Sequence, residues 1–266
     1  MVTLNNQKIS TRLSICLKTD GFSFSLLSGE RRLLTLEELP MPAGEPKTLA
    51  EDILAHLERK YAVSPLGLDG MRLVVPAKRF AWVPEHLFDP MRSRQYLDFV
   101  GEPDAAKGVV HIRNKALGAC MVFDVDNETV NPFKVHFPGI DVHCPHSVLV
   151  SADLLRDSTT HPLMLLHLDD GRADVEVFYA GQLHLSNSYP AASPDEALYY
   201  AIDIMKRLHL ETPDMELRLC GNVDRAVYAR YQRYFPNVGL HVGLPVTPKS
   251  PTDLPVPTYR HPLLFT

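Results

Sequence analysis

Residues 163–185 read LMLLHLDDGRADVEVFYAGQLHL and predict three strands joined by two tight turns. The first six residues form a continuous apolar run, which is typical of a strand buried on both faces. An Asp-Asp-Gly sequence at residues 169–171 then supplies turn chemistry. Residues 172–179 alternate between apolar and polar side chains, with Asp174 and Glu176 at polar positions, which is the period of a half-buried strand. After a second turn the alternation resumes, so the stretch predicts a three-strand meander.

A helix is predicted to begin after this meander. Ser193 suits the N-cap position, Pro194 suits the first helical position, and Glu196 follows three residues after the cap. A further strand, a second helix and a last strand complete the series up to residue 242. The predicted order is therefore strand, strand, strand, helix, strand, helix, strand.

The same order recurs more loosely in the first half of the chain. Strands are predicted at residues 13–17, 22–26 and 32–36, followed by a helix that carries a second capping-box pattern, Thr48 with Glu51. A short strand follows that helix. Residues 78–118 have no counterpart in the second half, and we interpret them as an insertion.

Two matching heptapeptides close the two halves. Residues 137–143 read FPGIDVH and residues 235–241 read FPNVGLH, and each follows a predicted strand and helix. Because this match agrees with the order of the elements, an internal duplication is the better interpretation. A single helix at residues 147–156 is predicted to join the two copies.

The predicted fold class is α/β, with two ribonuclease-H-like repeats of the order βββαβαβ and an insertion in the first. We predict a first domain at residues 1–157, with an inserted subdomain at about 78–118. A second domain is predicted at residues 158–244 and a Pro-rich tail at 245–266. Two such repeats joined by a helix are the plan of the actin-like ATPase fold.

Three segments carry a resemblance to a known family: VVPAKRF at residues 74–80, VPEHLF at residues 83–88, and residues 137–155. They are similar to a bacterial family of unknown function that has an actin-like ATPase fold. That family is distantly similar to actin-like proteins of pilus and secretion-system assembly. The resemblance covers most of the chain up to about residue 243. It implies a cleft between two halves, and it implies no reaction.

The resemblance also implies two phosphate loops, one in the first hairpin of each copy, where backbone N–H groups cradle phosphate and an Asp holds Mg²⁺. The candidate nucleotide-binding residues are Asp20 and Gly21 in the first loop, Asp169 and Gly171 in the second, and Gly221 in the position of the adenine-binding turn. That turn normally carries paired glycines in such proteins, and here it has one. Both hairpins depart from the family pattern of Asp, any residue, Gly, then Thr or Ser. In the first, Gly directly follows Asp, and in the second an Arg replaces the hydroxyl residue. Ordinary turn chemistry explains the same residues, so we predict degenerate loops.

Composition limits the partners of the chain. Its 27 basic and 32 acidic residues give a net charge of −5, and no basic stripe indicates nucleic-acid binding. No apolar run approaches the roughly 20 residues that span a bilayer, and the first residues lack the apolar core of a signal peptide. The four scattered cysteines are interpreted as buried, reduced thiols of a cytoplasmic protein.

Other classes of site find weaker support. A two-metal nuclease would need clustered carboxylates, for which the candidates are Asp169, Asp170, Glu196 and Asp224. Helix starts explain the last two of these acids. A zinc site would draw on the group His136, His143, Cys144 and His146. Neighbouring residues of a strand face opposite sides, so we predict no metal site there.

Two functional hypotheses follow. The first is a non-catalytic adaptor or assembly protein without a cofactor, which has a protein partner or self-associates. The second is an ATP-binding protein or weak Mg-dependent ATPase that uses the cleft, since Asp20 and Asp169 are both present. The Pro-rich tail ends in Leu263, Leu264 and Phe265, and we predict that this apolar end docks on its own chain or on a second copy.

Overall fold

A computed structural model of the protein describes residues 10–18, 21–40, 46–102, 104–242, 247–248 and 257–265. The first series of elements is β1 (Thr11–Leu17), β2 (Gly21–Ser28), β3 (Arg32–Pro40), α1 (Pro46–Tyr61) and β4 (Gly70–Val74). An inserted group follows, with β5 (Phe80–Pro84), α2 (Ser93–Leu97), β6 (Gly108–Asn114) and β7 (Ala119–Val125). The series then closes with α3 (Asn127–His136) and β8 (Asp141–His143).

Two short helices, α4 (Pro145–Leu149) and α5 (Ala152–Asp157), lead into the second series. That series is β9 (Leu163–Asp169), β10 (Arg172–Tyr179), β11 (Gln182–Pro190), α6 (Pro194–Arg207), β12 (Glu216–Gly221), α7 (Arg225–Gln232) and β13 (Asn237–Leu240). The described part of the tail contains β14 (Thr247–Pro248) and two single 3₁₀ turns, Thr258–Arg260 and Pro262–Leu264.

The two large sheets have the same topology. The first sheet has the order β14-β3-β2-β1-β4-β8 and the second has the order β11-β10-β9-β12-β13. In each sheet the first three strands of the series pair antiparallel and the next two are added in parallel. The prediction of an α/β fold with two ribonuclease-H-like repeats is confirmed. The matching heptapeptides end in β8 and β13, which are the last strands of their series.

The insertion forms a small third sheet with the order β5-β7-β6. Because β7 is its middle strand, we now place the end of the insertion after Val125 rather than at about residue 118. The division of the chain into domains at residues 157 and 244 stays our proposal.

Arg79 anchors this insertion from the family motif at residues 74–80. Its Nε donates to Asp124 Oδ2 at 3.1 Å and its Nη1 donates to the carbonyl of Glu102 at 2.8 Å. The next residue, Phe80, stacks on His146 of α4 with 3.9 Å between the ring centroids. These motif residues therefore have a structural role, which is to hold the insertion against the segment that joins the two repeats.

Two local predictions are wrong. The joining helix expected at residues 147–156 is broken, because α4 ends at Leu149 and Ser151 caps α5 by accepting a hydrogen bond from Leu154 N at 3.3 Å. Thr48 lies inside α1, which begins at Pro46, so it is not the N-cap. The predicted cap of α6 is confirmed, since Ser193 Oγ accepts a hydrogen bond from Glu196 N at 3.3 Å.

Three large clusters of buried apolar side chains stabilise the molecule. One lies between the first sheet and the helices α1 and α3, and a second lies between the second sheet and α6 and α7. The third lies between the two sheets and combines side chains of both with those of α4, α5 and the end of the chain. This third cluster borders the cleft in which the candidate site lies.

Candidate functional site

The two hairpins that were predicted as phosphate loops meet the cleft in different ways. Asp20 lies outside the described residues. Gly21 begins β2, where a Cβ would overlap the carbonyl of Leu39, so close strand packing accounts for this glycine. Asp169 ends β9 and lines the cleft. Gly171 occupies the turn that follows, with φ of +69°, which is ordinary hairpin geometry for glycine.

Gly221 brings the predicted adenine turn against the end of β9. Its φ is +83°, and a Cβ at this position would overlap the carbonyl oxygen of Leu168. The next residue, Asn222, donates its backbone N–H to the same carbonyl at 2.7 Å. Gly221, Asn222 and Asp169 therefore line one cavity, together with Lys18 from the end of the first sheet. Gly21 and Gly171 do not line that cavity.

The cleft is filled by the end of the same chain, residues 257–265. The turn Thr258–Arg260 lies against β12, and the turn Pro262–Leu264 lies against β1 and α4, so the segment bridges both sheets. Leu264 and Phe265 are each only 1% exposed. The prediction that the apolar end docks is confirmed, and it docks on its own chain.

The space left beside this segment is too small for a nucleotide. The remaining cavity has a volume of about 10 Å³, which is room for about one water molecule. Pockets that hold small molecules typically measure about 300–1,000 Å³. Mg-ATP therefore does not fit the cleft while residues 257–265 occupy it.

The basic residue of the second hairpin pairs with a carboxylate and not with a phosphate. Arg172 takes the position where the family pattern has a hydroxyl residue, and its Nη2 donates to Asp174 Oδ2 at 3.2 Å. Its Nε lies 3.0 Å from Asp174 Oδ1. The guanidinium group thus neutralises a buried carboxylate of its own strand.

A largely buried group of charged and polar side chains, which we term the acid–histidine network, links α4 to the second sheet. Its members are His146, His167, Arg172, Asp174, Glu176, Ser186 and Ser188. His146 bonds Glu176 through Nδ1, and its Nε2 lies 2.8 Å from Ser188 Oγ. Ser188 Oγ donates to Asp174 Oδ1 at 2.6 Å, and His167 Nδ1 lies 3.1 Å from Asp174 Oδ2.

The sequence did not reveal this network. Asp174 and Glu176 were predicted on the exposed face of a half-buried strand, and that prediction is wrong, because both are fully buried. Helix α4 covers this face of β10 and brings His146 to the carboxylates. The alternation of apolar and polar residues along a strand shows which of its faces is polar. It does not show whether a helix packs over that polar face.

The protonation of the network follows from its geometry. Burial alone would lower the pKa of His146, but the charges of Glu176 and Asp174 outweigh burial and raise it. Burial likewise opposes the ionised form of Asp174, yet the hydrogen bond with His167 and the charges of His146 and Arg172 hold its pKa well below the usual value. Ser188 donates its proton to Asp174, so its oxygen accepts from His146 rather than acting as an activated nucleophile. The network is a structural link between α4 and β10.

Residues considered for metal sites have other roles. Asp224 caps α7 by accepting a hydrogen bond from Val227 N at 2.7 Å, and Glu196 accepts one from Ala192 N at 2.9 Å. All four cysteines are free and buried. Within the described ranges, no group of three or more His, Cys, Asp or Glu side chains is arranged to hold a metal ion.

Residues 3–238 match the family described as "Protein of unknown function (DUF3822)". The chain belongs to this family. Among curated proteins, none matches the sequence.

Solved structures show the same fold. A Bacteroides thetaiotaomicron protein with an actin-like ATPase fold and unknown function is 19% identical, with a TM-score of 0.71, over 88% of this chain and 91% of that chain. The PilM-PilN type IV pilus biogenesis complex contains a chain that is 12% identical, with a TM-score of 0.61, over 96% of this chain and 97% of that one. The expected actin-like ATPase fold is confirmed. Of the helices that the structure describes, none has the length and apolar composition needed to cross a bilayer.

An alanine at Gly221 would suffer both backbone strain and a steric overlap, and Gly139 provides a control for the strain alone. Gly139 has the same φ of +83° but open space around it. Gly139→Ala should lower the free energy of unfolding by about 1–2 kcal/mol, the cost of a left-handed backbone. Gly221→Ala should cost about 1–3 kcal/mol more, because its Cβ also overlaps Leu168. Urea unfolding monitored by circular dichroism measures both. Equal losses would contradict the close approach.

The acid–histidine network predicts a large loss of stability when its central cation is removed. His146→Ala leaves Glu176 buried without its partner and should lower the free energy of unfolding by about 3–5 kcal/mol. The exposed His86 gives the matched control, since His86→Ala should change it by less than about 0.5 kcal/mol. Denaturant titration of both variants is the measurement, and similar values for the two would show that the network contributes nothing.

Proposed function

We propose that the protein is a non-catalytic adaptor or assembly protein of the cytoplasm, which uses an actin-like fold as a scaffold. One observation carries this proposal: residues 257–265 of the chain itself fill the cleft between the sheets. A cleft closed in this way holds the two sheets together without a nucleotide. The fold then serves to present surfaces rather than to perform a reaction.

The chemistry of the hairpins supports the same proposal. Arg172 pairs with Asp174, and Lys18 donates to Glu38 Oε1 at 2.6 Å, so both cations already have carboxylate partners. A triphosphate entering the cleft would have to compete with these carboxylates. The candidate loop residues Gly21 and Gly171 are explained by strand packing and turn geometry.

An adaptor needs a protein partner or a second copy of itself. The inserted group exposes the large apolar side chains Leu87, Met91 and Phe99, which give it apolar surface for such a contact. The similar fold in the PilM-PilN complex is found together with another protein, which supports a protein partner here.

The alternative is an ATP-binding protein or weak Mg-dependent ATPase. It is favoured by the convergence of Lys18, Asp169 and Asn222 on one cavity, because these groups would be available to a nucleotide once residues 257–265 had left. Asp169 would then be the candidate to hold Mg²⁺ or its waters.

Thermal denaturation with Mg-ATP distinguishes the two functions. The adaptor proposal predicts no shift of the melting temperature of the intact chain at millimolar Mg-ATP, because the cleft is occupied. A nucleotide at one hundred times its Kd would instead add about 2.7 kcal/mol to the free energy of unfolding.

Two neighbouring acids supply the control for this measurement. Asp169 lines the cleft, whereas Asp170 is exposed beside it. A saturable shift that disappears in Asp169→Ala and persists in Asp170→Ala would overturn the adaptor proposal in favour of nucleotide binding.

Affinity capture from native extract tests the partner. We expect a stoichiometric protein partner or a second copy of the chain, and we expect the double variant Met91→Glu, Phe99→Glu to lose it because charge replaces the apolar surface. Leu66→Glu is the matched control, since Leu66 is 92% exposed on the first repeat. Recovery of the wild-type chain alone, as a monomer, would contradict an adaptor role.

A further inference from the structure

The contact between residues 257–265 and the cleft has the composition of a peptide in its binding site. The segment is compact: Leu264 N donates to the carbonyl of His261 at 3.1 Å, and Phe265 N donates to the carbonyl of Pro262 at 3.2 Å. Its described backbone hydrogen bonds thus close within the segment. To the sheets it adds one, from Ser25 Oγ to the carbonyl of Leu264 at 3.4 Å, among the described residues.

Apolar side chains supply the contact. Leu263, Leu264 and Phe265 are buried in the cluster between the sheets, against Cys16 and Val74 of the first sheet. The same cluster reaches Leu165 and Cys220 of the second sheet. Tyr259, at the other end of the segment, packs against the core of the second sheet. The segment therefore presents apolar anchors to both halves of the molecule.

Some polar atoms at this contact make no hydrogen bond within the described residues. They are both ring nitrogens of His261 and the hydroxyl of Ser23, and His261 Nε2 lies 3.9 Å from Glu38 Oε2. His261 is 3% exposed and Ser23 is 1% exposed. Buried polar groups of a core are almost always hydrogen-bonded, to protein or to water. His261 and Ser23 face the small cavity beside the segment, so the segment meets the cleft through its apolar groups rather than through these polar ones.

We propose that the cleft is a reversible peptide-binding site and that residues 257–265 are its resident, tethered ligand. The class of ligand is a short peptide with a basic residue and a His-Pro turn, followed by two leucines and a phenylalanine. This inference rests on the part of the proposed function in which the segment closes the cleft. It goes further, because it makes the closure an exchangeable binding event.

The tether explains why the resident ligand prevails in the intact chain. A segment linked to its own site acts at a raised effective concentration, on the order of millimolar. A free peptide of the same sequence therefore competes poorly until the link is cut. Cutting the link converts the contact into an ordinary bimolecular equilibrium that can be measured.

The surroundings of His261 make this equilibrium depend on pH. The groups that face it are Lys18 directly after β1, Glu38 of β3, His167 and Asp169 of β9, and the adjacent Arg260. His146 of α4 is engaged with Glu176. Burial lowers the pKa of the docked His261 from its ordinary 6.5 to about 4, and Lys18 adds to this effect.

The docked and the released forms of His261 take up a proton at different pH values. The released peptide takes up its proton near pH 6.5, before the docked one does, so docking is strongest above that pH and weakens as the pH falls toward 4. Between pH 7 and pH 5 the affinity should fall by about twenty-fold. A His261→Gln peptide has no such proton and should lose this dependence.

The experiment uses the full chain, folded before it is cut. A cleavage sequence for a site-specific protease is placed between residues 249 and 256, and the purified protein is cleaved. A fluorescent synthetic peptide of residues 257–266 is then added to the cleaved and uncleaved proteins, and its anisotropy is followed. We expect the fragment to stay bound on a sizing column, and the labelled peptide to exchange with it saturably. Binding to uncleaved protein should be at least ten-fold weaker.

Two variants sharpen the result. A labelled peptide with Leu264→Asp should not bind the cleaved protein, because a charge would enter the apolar cluster. The uncleaved chain with Leu264→Asp should bind the wild-type peptide without cleavage, because its own segment no longer occupies the site.

The contradicting outcomes are equally specific. A fragment that never exchanges with labelled peptide would show that residues 257–265 are part of the permanent core. A fragment that separates at once, with no peptide binding, would show that the cleft is not a peptide site. Either overturns this inference. The adaptor proposal is decided separately by Mg-ATP and the intact chain, since no nucleotide is present here.

Discussion

Each large sheet has two faces to bury, and the helices of its own repeat cover only one of them. In the first sheet α1 and α3 cover the outer face, and in the second α6 and α7 do so. The inner faces are buried by α4, α5 and the last residues of the chain. Burying Leu263, Leu264 and Phe265 contributes on the order of 1.5–3 kcal/mol each, which offsets part of the cost of ordering the segment. The inner faces are thus closed in part by residues from the far end of the chain.

The charges of β10 show what this arrangement requires of the second hairpin. Helix α4 seals Asp174 and Glu176 away from water, and isolated buried carboxylates are costly unless they are paired and hydrogen-bonded. His146, His167 and Arg172 supply the pairing. Arg172 stands at the phosphate-loop position, so the cation that could meet a phosphate is the one that the buried acid needs. Arg172 therefore accounts for two features of the second hairpin. It departs from the phosphate-loop pattern, and it neutralises a carboxylate that α4 buries.

Local patterns predicted the elements that depend on local physics. The repeated order of strands and helices, the cap at Ser193 and the paired heptapeptides are all readable from side-chain period and turn chemistry. The packing of elements that are distant in sequence could not be predicted, because nothing in the alternation of β10 shows that α4 lies over Asp174. The end of the insertion was missed for the same reason, because β7 pairs with β5 and β6 rather than with the first sheet. The apolar ending of the tail predicted docking, and only the three-dimensional structure could place it between the sheets.

The character of the cleft walls decides which ligands suit it. Cys16, Leu33 and Val74 of the first sheet face the cluster between the sheets, and any occupant that replaces residues 257–265 must cover these apolar side chains or leave them to water. The phosphate groups of a nucleotide offer no apolar surface for that purpose. It would also bring several negative charges beside Asp169, where Lys18 already pairs with Glu38. A peptide with large apolar side chains satisfies the walls and needs few polar partners. The apolar side chains of the cleft walls are therefore matched by those of residues 257–265.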